Sequence, residues 1–226
     1  LKALAPEKDG ATIRTAMGQV RERIDEAKEE RRRFSPAGQS TQLIVGADAE
    51  DDAAVLATSE VMYGRYNLKR VYYSAFSPIP EASSVLPVKA PPLQRENRLY
   101  QADWLLRFYG FTPLEIVSGG EGGMLDLDID PKLAWALKNR DRFPVDVNTA
   151  DRELLLRVPG LGARAVDKII AARRQTRLGM AELSRLSNGL KRARPFLIAA
   201  DHSPAKLTDR ADLRARLTPA VQPSLF

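Results

Sequence analysis

Apolar residues recur at spacings of three and four near the start of the chain. Ile13, Met17, Val20, Ile24 and Ala27 form one stripe, which predicts a helix over 11–33. Charges fill its other faces, Glu29 to Arg33 read as a solvated end, and Ser35-Pro36-Ala37-Gly38 breaks it. Residues 41–47 form a short apolar run and read as a buried strand. A helix over 50–65, carrying Ala54, Val55, Val61 and Met62, and a strand over 69–76 follow. Strand, crossover helix and strand make a βαβ unit, so the two strands are expected to be parallel. A parallel sheet needs cover on both faces, which two strands do not supply. Further sheet is therefore expected before Leu1, and a first residue other than Met fits a piece of a longer protein.

A Pro-rich connector spans 77–92. The next helix, 94–109, carries Leu99, Ala102, Leu106 and Tyr109, with Trp104, Leu105 and Phe108 widening the stripe enough to predict deep burial; Gly110 ends it. Residues 118–123 read as a Gly-rich loop. Asp130-Pro131 starts a helix that should run to about Arg140, an acceptor at the cap followed by proline in the first turn. No repeat of solenoid length is evident, and the tail carries a short helical stretch at 206–217.

The most informative local pattern runs from Val147 to Ile170. Asn148 or Thr149 is positioned to cap a first helix, whose Leu154, Leu155 and Val158 face inward. The turn Pro159-Gly160-Leu161-Gly162 leads into a second helix with Ala165, Val166, Ile169 and Ile170 inward. Two glycines allow a sharp bend and close approach of a ligand. The N–H groups opening the second helix are unpaired and partly positive, so they suit a phosphate oxygen. Leu161 should anchor the turn in the core, while Arg164 and Lys168, one helical turn apart, add charge. The pattern resembles the helix-hairpin-helix family, which implies DNA phosphate binding by Pro159, Gly160, Leu161, Gly162, Arg164 and Lys168. The plainer alternative is an ordinary helical hairpin with a glycine turn. A second candidate hairpin, 178–192, keeps the helix pattern but has Ser187-Asn188-Gly189 at its turn; Lys191, Arg192 and Arg194 are its candidate phosphate contacts.

Charge strengthens the first reading. Residues 140–226 hold 17 Lys and Arg against 9 Asp and Glu, whereas 1–139 hold 18 against 20, within a net charge of +6. A basic C-terminal third suits an acidic polymer, although the same charge also serves solubility. The chain has no cysteine, which excludes disulfides and thiolate metal sites within it; a cytoplasmic location is the expectation. No apolar run approaches the ~20 residues of a membrane span.

Three stretches carry a second resemblance: Phe34 to Ala47, Leu68 to Phe76, and Pro91-Pro92-Leu93 with Arg95-Glu96 and Arg98 to Phe111. In this order, followed by the hairpin, they look like the C-terminal half of putative DNA modification or repair radical SAM proteins, across about 34–175. The resemblance implies an α/β fold: a partial (β/α) radical SAM-type barrel fragment with flanking helices over 1–140, an all-α helix-hairpin-helix domain over 141–200, and a tail over 201–226. It also implies a [4Fe–4S] cluster and S-adenosylmethionine in the full-length parent. The family's cluster ligands lie in a Cys-x-x-x-Cys-x-x-Cys loop that this chain lacks, so these residues are expected to hold no cluster. Gly46 and Ser74, at the C-terminal ends of strands, are candidates to face cofactor or substrate. Gln39, Ser40, Thr41 and Gln42 start a strand and are candidates too, with loop hydrogen bonding or capping as the alternative.

Smaller signals weigh less. Asp126, Asp128 and Asp130 alternate like a calcium loop, but Pro131 and Leu137 stand where Gly and Glu are needed, so a polar strand face leading to a cap is expected. His202 lies in a tail without an evident partner. Gln222, Leu225 and Phe226 resemble a sliding-clamp-binding pentapeptide, with Pro223 departing from the usual Leu. Two functions stand: a radical SAM enzyme portion that binds DNA backbone without sequence preference, or a non-catalytic nucleic-acid-binding scaffold.

Overall fold

The computed structural model describes residues 8–78, 86–204 and 211–218. The protein is mixed α/β and divides into two compact units, Leu1–Asp103 and Trp104–Phe226. Residues 104–140, assigned by the sequence reading to the front domain, belong to the same unit as the hairpins.

The first unit begins with α1 (Gly10–Glu29), capped by Asp9, which accepts the Thr12 N–H at 2.8 Å. Strand β1 (Ser40–Val45), helix α2 (Asp52–Tyr66) and strand β2 (Arg70–Ala75) follow. The strands pair in parallel, Ser40 opposite Arg70 and Val45 opposite Ala75, as a βαβ crossover requires. Asp51 caps α2, and Asn67 ends it in the left-handed conformation that Asn tolerates. Helix α3 (Leu93–Phe108) crosses from this unit into the next.

One face of the small sheet is sealed. Val71 and Tyr73 are buried, in a unit whose core also holds Leu56, Leu99 and Ala102. The outer edge of β2 is closed by side chains rather than by another strand. The Val71 N–H donates to the Tyr63 oxygen at 3.0 Å, the Tyr73 N–H to the Tyr100 oxygen at 3.1 Å, and the Ala75 N–H to Glu96 Oε2 at 2.9 Å. The Tyr73 hydroxyl lies 3.1 Å from the Asp103 carboxylate, and burial beside that charge pushes its phenol well above the ordinary tyrosine range. On the other face Ile44 and Tyr72 remain 59% and 46% exposed. Among the described residues these strands form a two-stranded sheet and no barrel is seen; hydroxyls and a carboxylate occupy the edge where a third strand would join β2.

The second unit contains α4 (Pro113–Val117), α5 (Pro131–Lys138), β3 (Val145–Asp146), α6 (Arg152–Arg157), α7 (Ala163–Ala172), α8 (Met180–Leu186), α9 (Leu190–Ala193), β4 (Leu197–Ile198) and α10 (Leu213–Leu217). Helix α4 is held by a capping box, Thr112 accepting from the Glu115 N–H and Glu115 accepting from the Thr112 N–H, with Pro113 at the first position. Phe111, Trp135, Phe143 and Phe196 run through the core edge to face, at centroid distances of 5.5, 6.3 and 5.2 Å. Strands β3 and β4 pair in parallel, joining the segment before α6 to the segment after α9. The second domain is therefore not all-α as expected. The wide stripe of α3 is also corrected: Leu99, Ala102 and Leu105 are buried, whereas Trp104 and Phe108 are 52% and 42% exposed and pack on each other at 4.4 Å.

Candidate nucleic-acid interface

Helix α6 ends at Arg157 and is followed by Val158, whose carbonyl accepts the Leu161 N–H at 3.2 Å and closes a tight turn. Gly160 sits at φ 85°. A Cβ there would stand 2.4 Å from the Gly189 carbonyl oxygen and 3.0 Å from the Ala193 nitrogen. Conversely, a Cβ on Gly189 would stand 2.0 Å from the Gly160 oxygen. The two turns, Val158–Gly162 and Ser187–Gly189, therefore meet backbone to backbone. Gly162 differs: its φ of −88° suits any residue, and a Cβ would meet nothing nearer than the Tyr109 hydroxyl at 3.7 Å. The glycines expected to serve a ligand together have separate reasons. Gly160 serves the bend and the packing of the second hairpin; Gly162 leaves open space.

Pro159 and Leu161 are buried, Leu161 only 2% exposed, so both act inside the fold. Beyond them the N–H groups of Gly162, Ala163, Arg164 and Ala165 have no hydrogen-bond partner among the described residues, while the Val166 N–H begins the helical ladder by donating to Gly162 O at 2.9 Å. Gly162, Ala163 and Ala165 are half-buried and Arg164 is exposed, so the turn faces outward. Arg164 and Lys168 project from α7 as exposed cations with no ion pair among the described residues. Asp167, between them in sequence, is taken by Arg152 at 2.9 Å.

Beneath the turn lie two buried cations that the sequence reading missed. Lys132, 7% exposed, donates from Nζ to the Leu161 carbonyl at 2.6 Å and sits 4.7 Å from the centre of the Tyr109 ring. Burial, partly opposed by Asp130 and reinforced by Arg157 and Arg192, brings Lys132 from the ordinary lysine value down to about 7. Arg157, 4% exposed, donates to the carbonyls of Tyr109 and Gly110 and to Glu115, and lies 4.2 Å from the Phe111 ring centre. Burial opposes ionisation of Glu115, but the Thr112 N–H and Arg157 outweigh it and hold the carboxyl below its ordinary range. In sequence Lys132 and Arg157 looked like ordinary helical surface charges, because cations are almost never fully buried.

The second hairpin is the weaker half. Lys191 and Arg194 are exposed, but Arg192 is engaged by Asp130, which also caps α5 by accepting the Leu133 N–H at 3.1 Å. Asp151, not Asn148 or Thr149, caps α6 by accepting the Leu154 N–H at 2.7 Å. Asn148 instead ties the hairpins together: its Oδ1 accepts the Leu178 N–H at 2.7 Å and its Nδ2 donates to the Leu178 carbonyl at 3.1 Å.

The strand-end candidates of the first unit do not converge. Gln39 donates from Nε2 to the carbonyls of Met17 and Tyr66, at 3.1 and 2.7 Å, which is a structural tie. Ser40, Thr41 and Gln42 lie at the N-terminal end of β1, with Ser40 and Gln42 exposed. Gly46 lies past its C-terminal end at φ 81°, where a Cβ would stand 2.7 Å from the Pro91 ring. Ser74 faces Ile44 across the sheet and is half-buried. Asp126 and Asp128 form no strand face; Asp126 accepts the N–H groups of Asp128 and Ile129, and both carboxylates bind Arg214. His202 has a partner after all, its Nε2 donating to the Arg194 carbonyl at 3.1 Å. Gln222, Leu225 and Phe226, and residues 206–210 of the expected tail helix, lie outside the described residues. Without cysteine the chain's residues do not fit an iron–sulfur cluster, and among the described residues no group of three His, Asp or Glu is arranged to hold a metal ion. Among them, too, no helix is long and apolar enough to cross a membrane.

Comparison with known proteins finds no matching family model, no matching curated protein and no matching solved structure.

Proposed function

We propose that the second unit binds the sugar-phosphate backbone of DNA, without sequence preference, at the N-terminus of α7. One observation carries this reading: four successive N–H groups, Gly162 to Ala165, lack protein acceptors at an outward-facing turn flanked by the exposed cations Arg164 and Lys168. A phosphate oxygen satisfies such amides and interacts favourably with the helix dipole, and backbone contacts of this kind carry no base information. The excess of Lys and Arg over Asp and Glu in 140–226 adds a long-range attraction. The first unit is read, from the motifs between Phe34 and Phe111, as part of a radical SAM protein acting on DNA; in that reading the cluster and S-adenosylmethionine are held by residues outside this chain. The non-catalytic scaffold is the second reading, and the ties that bind Gln39, Arg95 and Glu96 into the fold favour it for this portion.

The test is duplex affinity as a function of salt. Replacing Arg164 and Lys168 together by Ala should weaken binding to duplexes of different sequence by the same factor. The slope of log affinity against log salt should fall by about 0.9 for each lost phosphate contact. Unchanged affinity in a folded double variant removes the α7 terminus from the account.

A further inference from the structure

The Leu161 carbonyl and the Gly162 N–H belong to one planar peptide group and point in opposite directions. The buried Lys132 ammonium holds the carbonyl from below at 2.6 Å; the N–H opposite is the first of the unpaired amides. Charge placed on the oxygen polarises the whole peptide and makes its N–H a stronger donor. Lys132 is thereby linked through a single peptide to the place where a phosphate would sit. We propose that Lys132 is a positioning residue of the backbone clasp, and that DNA binding draws a proton onto its amine. This rests on the reading that α7 binds phosphate.

The surroundings explain why the amine resists its proton before DNA arrives. An ammonium has three N–H donors, and Lys132 spends one on Leu161 O and faces the Tyr109 ring with its charge. The carboxylate that favours its charge, Asp130, is already divided between the α5 cap and Arg192. Arg157 from α6 and Arg192 from α9 both repel the charge. Burial is the largest opposition, and together these bring the amine's value down to about 7. A bound phosphate supplies the negative charge this cluster lacks. It favours the ammonium, and by linkage the ammonium favours the phosphate. The sign follows: affinity is highest below pH 7, falls as pH rises through 7, and levels off above the amine's value in the complex.

The decisive measurement is the ¹³Cε chemical shift of Lys132, titrated in the free protein and in its complex with a mixed-sequence duplex. The midpoint is expected to rise by about half a unit or more on binding, equivalent to about threefold tighter binding at low than at high pH. An unmoved midpoint overturns the proposal. Affinity measured from pH 6 to 9 provides the second arm: Lys132→Met should flatten the decline seen in the native chain, and an equally steep decline in the folded variant also overturns it. Absence of duplex binding at every pH, in the native chain, defeats the underlying reading instead.

Discussion

Gly160 and Gly162 stand two positions apart and look interchangeable, yet their surroundings make opposite demands. At Gly160 any side chain meets both a positive φ and the Gly189 carbonyl, so Gly160→Ala should lower stability by about 2–4 kcal/mol, read as a shift in the urea midpoint. Gly162→Ala should leave that midpoint within ~1 kcal/mol, since the added methyl meets only the Tyr109 hydroxyl at ordinary contact distance. Equal losses in the two variants would contradict the packing described. The difference was illegible in the sequence because the atom that forbids a Cβ at Gly160 belongs to residue 189, and only the fold brings it there. Lys132 escaped notice for a related reason: its neighbour pair Asp130-Pro131 explained it fully as part of a helix start.

Elements with strong periodicity or local caps were legible from their residues. The helices around 10–29, 52–66, 93–108 and 131–138 and the parallel pair β1–β2 fall within a few residues of their expected bounds. Helix α4 was passed over although Thr112-Pro113-Leu114-Glu115 carries a capping box and an N-terminal proline; a five-residue helix leaves no periodicity to find. Strands β3 and β4 have two residues each and pair across some fifty positions, so no local pattern announces them. The closed edge of β2 makes a prediction at this scale. The amides of Val71, Tyr73 and Ala75 should exchange slowly despite lying at a strand's outer edge. Tyr100→Phe should accelerate exchange at Tyr73 selectively and cost about 1–2 kcal/mol, since both the Tyr73 N–H and its carbonyl lose their partner. Any further strand of this sheet must join at β1.

The chain as a whole keeps its positive charge in the hairpin-bearing unit, and part of that charge is inside it. A buried amine whose value is brought down to about 7 makes folding depend on pH in a defined window. Above the unfolded lysine value near 10.4 neither state holds the proton, and the full stability is present. As pH falls from there toward 7 the unfolded chain takes up a proton that the folded chain resists, so stability declines, and below 7 the loss is complete. Thermal melts should therefore rise in midpoint between pH 7 and 10, and Lys132→Met should abolish that component, on the order of a few kcal/mol. The meeting of Gly160 with Gly189 has a consequence for how such a chain can change over generations. Each bend serves as the wall of the other, so a residue inserted into either would strike the opposite main chain. Length variation in this unit should accumulate in the exposed stretch 174–177 and be purged from both tips.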